Sequence, residues 1–385
     1  MRIAILTLAF NTNYGGIIQN YALQKFLRNQ GYDVRTIRIA GKDVGLSLSD
    51  KIIKYPYRFF KKILGRKDGV ILVEKKKKQD YIISCKYLSD FINQYILQTK
   101  TLHTKEEIQN EFKSGYDVVI VGSDQVWRPK YLYPSLETFF LDFVDDNVKR
   151  IAYAISFGTD EVEYNEEQII RCRDLYKKFD AVSVREFGAL NLLNNIYRWK
   201  CKRKPVWVLD PTMLLLKKDY EDLIQKSNCN IDNGELFCYI LDKSQEKNDI
   251  VNILSSKLNY KPYKVERKSD DFWDDAENKI YPSLEQWLKG FQQAKYVFTD
   301  SFHGCVFSII FNKPFIAYGN NTRGMSRFNS LFKMAGLENR LIHNISDITD
   351  ELLNSVIKWD DINNIISKMR DISTGFLLKN IISNE

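Results

Sequence analysis

Short apolar runs alternate along this chain with stretches whose hydrophobic positions recur every three or four residues. Ile3–Ala9 is a run of the first kind and reads as a buried strand, and Val34–Ile39 reads as the next strand. Between them Ile18, Tyr21, Ala22 and Phe26 fall at helical spacing over Ile17–Asn29, and Gly31 offers a left-handed C-terminal cap. The junction recurs at GYDVVIVG, where Thr104 and Glu107 have capping-box spacing, Gly115 ends the helix, and Val118–Val121 follows as a strand. A helix is expected from about Glu74 to Leu97, with Tyr81, Cys85, Leu88, Ile92 and Tyr95 turned to the core. Further strands are expected at Ile151–Ile155, Ala181–Val184 and Val206–Leu209.

A second series begins after Asp210 and Pro211: strand Leu236–Leu241, helix Glu246–Leu258, and strand Pro262–Val265. A helix capped by Ser283 and Gln286 then leads into strands Tyr296–Phe298 and Pro314–Tyr318. Repeated strand–helix units argue for an α/β protein with parallel sheets covered by helices, and two such series imply a cleft between them.

Composition narrows the class. With 385 residues, 44% hydrophobic and 28% charged, the chain is an ordinary globular one with room for two or three domains. No apolar run approaches the ~20 residues of a membrane span. MRIAILTLAF is expected to be a first strand, since NTNYGG and a helical pattern follow it without a small-residue cleavage site. The six cysteines are scattered, which points to reduced thiols in a cytoplasmic protein, and three histidines make a metal site unexpected. Charge is concentrated: residues 51–78 hold eleven Lys or Arg against Asp68 and Glu74, a net +9 in a chain whose formal total is +8. Aromatics interleaved there suggest peripheral contact with an anionic membrane, with nucleic acid as the rival partner and a solvated face as the bland reading.

In parallel α/β sheets ligands bind beyond the carboxyl ends of strands, so the loops there hold the candidates. After the first strand, Asn13, Tyr14 and Gly15 offer a glycine-rich turn to an anion or a sugar, without the G-x-G-x-x-G order of a dinucleotide site. VGSDQVWRP places Ser123, Asp124, Gln125 and Trp127 together: hydroxyl, carboxylate and amide for sugar hydroxyls, and an aromatic face for the ring. The same Ser123 and Asp124 would also serve as helix caps. Arg185 follows a strand and is suited to clamp a carboxylate or phosphate, although a surface arginine beside a cap is equally compatible. TDSFHGCVF brings His303, flanked by Ser301 and Gly304, to a helix N-terminus, with Arg323 and Arg327 in the following loop. A dipole end, arginines and an imidazole describe a site for a polyanion on which protons move, while a hydrogen-bonded structural histidine is the plainer alternative.

NYGGIIQNYALQ, VVIVGSDQVWRP, VSVRE, VLDPTMLL and AKYVFTDSFHGCVFSIIFNKPFIAY, in this order, resemble the polysaccharide pyruvyltransferase family. The resemblance implies two Rossmann-like domains facing across a cleft in the GT-B manner. Residues 1–178 would form the acceptor side, 179–360 the donor side, and 361–385 a helix returning to the first domain. It implies phosphoenolpyruvate as co-substrate, a glycan acceptor, no tightly bound cofactor, no nucleic acid, and a cytoplasmic location, with 51–78 touching the membrane. His303 takes the position of the family's histidine and is the catalytic candidate, with Asp124 beside it. Arg185, Ser301, Gly304, Arg323 and Arg327 would bind the donor, and Asn13, Tyr14, Gly15, Ser123, Gln125 and Trp127 the acceptor. Many members read Arg-Leu-His-Gly at the histidine; here Ser301 and Phe302 stand first, so Arg323 or Arg327 is expected to supply the missing cation. The alternatives are a nucleotide-sugar glycosyltransferase, for which Asp270, Asp271, Asp274, Asp275 and Glu277 offer carboxylates, and a non-enzymatic basic binding protein.

Overall fold

The computed structural model describes residues 1–41, 73–227, 229–319 and 324–382. Two parallel sheets dominate. The first is built from β1 (Arg2–Leu6), β2 (Asp33–Ile37), β3 (Val118–Asp124), β4 (Lys149–Ile155), β5 (Ala181–Val184) and β6 (Val206–Trp207), in the order β2-β1-β3-β4-β5-β6. The second holds β7 (Leu236–Tyr239), β8 (Pro262–Tyr263), β9 (Tyr296–Thr299), β10 (Phe315–Tyr318) and β11 (Leu341–Ile342), in the order β11-β10-β9-β7-β8. The apolar stretches Ile3–Leu6 of β1 and Val118–Val121 of β3 pair in register, Ile3 with Val118 and Leu6 with Val121, and are buried on both faces of their sheet. Two residues of β11 were too short a run to register in the sequence pattern.

The division between the halves lies later than the 178/179 boundary expected. β5 and β6 hydrogen-bond into the first sheet through β4, so that half extends past Trp207, and the second begins after Asp210. The expected helix from Glu74 to Leu97 is two helices, Val73–Ser84 and Lys86–Tyr95, separated at Cys85. The second carries the buried stripe of Leu88, Phe91 and Ile92, whereas Tyr81 is exposed. The Ser283–Gln286 capping box is present on helix Leu284–Gln293. Thr104 Oγ1 accepts from Glu107 N, and the Glu107 carboxylate reaches back to His103 N.

One hydrophobic cluster runs through both halves. Tyr14, at the start of helix Tyr14–Asn29, stacks on Trp287 with centroids 5.3 Å apart and donates its hydroxyl to Pro282 O at 2.8 Å. Such a stack adds about 0.5–1.5 kcal/mol beyond area burial. Helix Trp359–Ile382 returns to the first sheet: Lys149 Nζ reaches Ile381 O at 2.8 Å, and Leu209 N donates to Ser373 Oγ at 2.9 Å. The six cysteines are unpaired.

Candidate active site

The carboxyl ends of β1, β3, β7, β8 and β9 open into one cleft of about 2060 Å³. Leu8 to Tyr14, Asp124 and Gln125 line it from the first half; Tyr239 to Leu241, Val265 to Arg267 and Asp300 to His303 line it from the second.

Helix Phe302–Ile310 starts at the end of β9 because Ser301 caps it, its Oγ accepting from Gly304 N at 3.3 Å. Ser301 is therefore engaged in the helix start, although it also lines the cleft. Gly304 lacks a side chain for a packing reason: a Cβ there would lie 2.2 Å from Thr299 Oγ1. The close approach expected at Gly304 is that of the helix to β9. His303 follows within the first turn, where the dipole favours negative charge. Its imidazole is held from the other half by Gly15, on which a Cβ would fall 2.1 Å from Nδ1.

Behind the imidazole stands a buried row of charges. Asp210 Oδ2 lies 3.7 Å from His303 Nε2, an ion-pair distance beyond hydrogen-bond reach. The same oxygen accepts from Arg185 Nη1 at 2.6 Å, and Arg185 Nη2 donates to Asp124 Oδ1 at 2.7 Å. Thr212 fixes the other Asp210 oxygen through its N–H and hydroxyl. Burial, the largest single influence, would raise both carboxyls. Arg185, His303 and Arg327 together overcome it at Asp124, and His303, Arg185 and Thr212 together at Asp210, so both titrate below the usual carboxylate range. Glu186 also sits in this interior. There burial wins and its pKa is raised, although Ser156 Oγ and the N–H groups of Phe157 and Gly158 donate to it.

Several expectations need correction. Arg185 does not face the cleft as a clamp: its side chain is 1% exposed and both terminal nitrogens are committed to carboxylates. Arg327 is the expected donor arginine that lines the cleft, 5.5 Å from the Phe302 ring, on whose π system Arg185 also lies at 4.9 Å. Arg323 falls outside the described residues. Trp127 offers no face to a sugar. It is fully buried, stacked on Phe140 at 4.5 Å, with Nε1 donating to Phe139 O. Ser123 is buried too and bonds Gln19 Oε1 through its hydroxyl at 2.8 Å. Tyr14 is a strut between the halves, whereas Asn13 is exposed in the cleft wall.

Asp124 and Gln125 do line the cleft, and Gln125 Nε2 is buried without a partner among the described residues. The exposed aromatics there are Tyr131 and Tyr133, which the sequence pattern did not single out, and Tyr81, which it assigned to the core. The signal for Tyr131 and Tyr133 was WRPKYLYP, where a proline-led turn presents aromatics that no periodic element needs. Of the acidic run, Asp270 reaches the cleft, already bonded by Lys243 and Arg267. Of 51–78, residues 51–72 lie outside the described part, and Lys75, Lys77 and Lys78 line the cleft.

This architecture is GT-B. The chain is similar in fold to UDP-GlcNAc 2-epimerase from Neisseria meningitidis bound to UDP-GlcNAc, at TM-score 0.55 and 8% identity over 100% of both chains. UDP-N-acetylglucosamine 2-epimerase from Rickettsia bellii matches at TM-score 0.52 and 8% identity, over 99% of this chain and 97% of that one. A glycosyltransferase from Rickettsia africae ESF-5 matches at TM-score 0.50 and 11% identity, over 100% and 99%. The class is thus two Rossmann-like units facing across a cleft. No curated protein matches the sequence. The chain belongs to the polysaccharide pyruvyl transferase family, whose pattern it matches over residues 13–322.

Proposed function

We propose that this transferase moves the pyruvyl group of phosphoenolpyruvate onto two hydroxyls of a sugar in a capsular or exopolysaccharide, or in its lipid-linked precursor, forming a ketal and releasing phosphate. The observation that carries the reading, beside family membership, is His303. It stands in the cleft at a helix N-terminus, fixed by Gly15 in front and facing Asp210 behind.

The donor carries a carboxylate and a phosphate. The N-terminus of helix Phe302–Ile310 and the Arg327 guanidinium supply positive charge at the cleft wall for them. His303 delivers a proton to C3, which makes C2 electrophilic. One sugar hydroxyl adds to C2 and loses its proton; the C2–O bond to phosphate breaks; the second hydroxyl closes the ring. Two hydroxyl protons leave, one balancing that added to C3 and the other departing with phosphate. Imidazole suits both directions of transfer near neutral pH. Asp124 faces the cleft as a carboxylate held ionised by Arg185, placed to orient the acceptor hydroxyls with Gln125. The reaction calls for no tightly bound cofactor.

No helix among the described residues is long and apolar enough to cross a membrane. The proposed setting is the cytoplasm, with peripheral contact to an anionic membrane through 51–78.

The test is phosphate release from phosphoenolpyruvate, without nucleotide, in the presence of bacterial glycan fractions. Turnover should fall roughly 10²–10⁴-fold in His303→Ala, with the fold intact. A loss below about fivefold in a folded variant removes the acid–base role from His303. Nucleotide-dependent transfer without phosphate release would instead establish a glycosyltransferase.

A further inference from the structure

The cleft is larger than the ~300–1,000 Å³ of a usual small-molecule site, and its outer wall is cationic. Helix Val73–Ser84 presents Glu74, Lys77, Lys78 and Tyr81 to it at positions i, i+3, i+4 and i+7, with Lys75 beside them. The helix is pinned in that orientation from its other side. Asp80 pairs with Lys76 and with Lys279, each at 2.9 Å, and Lys279 also donates to Phe272 O at 2.7 Å. Lys75, Lys77 and Lys78 have no hydrogen bond or ion pair among the described residues. Lys130 also lines the cleft, from the first half's loop after β3. Lys75 and Lys78 are a like-charge pair three apart, whereas Glu74 stands three and four residues before Lys77 and Lys78 and neutralises part of the positive charge, each pair worth a few tenths of a kcal/mol. A bound anion would complement the positive charge that is left.

We infer that this wall binds a phosphate or diphosphate group, separate from the donor at His303, and that the acceptor sugar enters as a glycosyl phosphate or diphosphate. Only the word acceptor rests on the pyruvyltransferase reading; the anion site stands on the lysines. A soluble glycosyl diphosphate and a lipid-borne headgroup present the same chemistry to it.

The probe is inorganic pyrophosphate, titrated calorimetrically into the full chain with phosphoenolpyruvate saturating, and into the Lys75→Gln/Lys77→Gln/Lys78→Gln variant. Pyrophosphate should bind the wild type under these conditions and bind the variant about tenfold or more weakly, since charge-assisted hydrogen bonds are lost. Phosphoenolpyruvate affinity should stay within about twofold in both. Equal pyrophosphate affinity in the two proteins, or no binding while phosphoenolpyruvate is present, overturns the site. Wild type that ignores phosphoenolpyruvate but binds pyrophosphate through the lysines retains the site and refutes the donor assignment. Co-sedimentation with phosphatidylglycerol vesicles separates the sources: binding lost in the variant supports a lipid-borne phosphate. Pyrophosphate binding without sedimentation supports a soluble one.

Discussion

The imidazole of His303 rests against the backbone of Gly15, so closely that a Cβ there would lie 2.1 Å from Nδ1 and 2.6 Å from Cγ. One residue belongs to the first half and the other to the second, so the glycine turn after β1 sets where the histidine stands. Gly15→Ala should therefore displace the ring. Alanine is a better helix former by about 1 kcal/mol, so the helix itself does not suffer. Turnover, followed as phosphate release, should drop by about two orders of magnitude while the melting temperature stays within a few degrees. Unchanged turnover would mean that the contact is incidental.

Arg185 holds two buried carboxylates, Asp124 at 2.7 Å and Asp210 at 2.6 Å. Arg185→Met removes their cation and leaves both charges uncompensated, so the variant should lose about 3–5 kcal/mol of stability in urea unfolding. Adding Asp124→Asn and Asp210→Asn should recover part of that loss. If Arg185→Met costs less than about 1 kcal/mol, the row of charges is not what holds the interior.

Stability against pH should have two opposing parts. Asp124 and Asp210 titrate lower in the folded chain than in the unfolded one. The stability they add is complete above the ordinary carboxylate range and is lost as pH falls through their native values. Glu186 has the reverse sign: its raised pKa means that stability declines as pH climbs from the ordinary glutamate value through the native one. Glu186→Gln should abolish that decline and leave the acid limb in place, in urea midpoints taken from about pH 3 to about pH 8. Parallel profiles for the two proteins would contradict the assignment.

Aromatic residues near one another in sequence should behave in opposite ways. Trp127→Ala empties a fully buried position and should cost about 3–5 kcal/mol, whatever the ligand. Tyr131→Ala and Tyr133→Ala, exposed in the cleft wall, should leave the melting temperature alone and raise the KM for acceptor severalfold. An unaltered KM in both tyrosine variants would place the acceptor elsewhere.

The strands were largely legible in the sequence because short unbroken apolar runs must be buried, and β1, β3, β4, β7, β9 and β10 are built on such runs. So was the placement of His303 at a helix start, since a small cap, an aromatic and a glycine after a strand mark that junction locally. The division between the halves was not legible, because β5 and β6 carry no mark of which sheet they join; that depends on hydrogen bonds to β4 and then to each other.

The same limit applied to side chains. Residue types announce what chemistry is at hand, but burial and partnership are set by what arrives from distant parts of the chain. Arg185 looked like a clamp until Asp124 and Asp210 came to it from 61 and 25 residues away. Trp127 looked like a sugar platform until Phe140 and the Phe139 carbonyl closed over it. Gly15 and His303, 288 positions apart in the numbering, meet only because the two halves bring the carboxyl ends of their strands to one cleft. Local pattern determines which elements form, since each needs only its own periodicity and caps; which charges cancel and which face the cleft is decided by contacts between residues far apart in the chain, within each half and between the two.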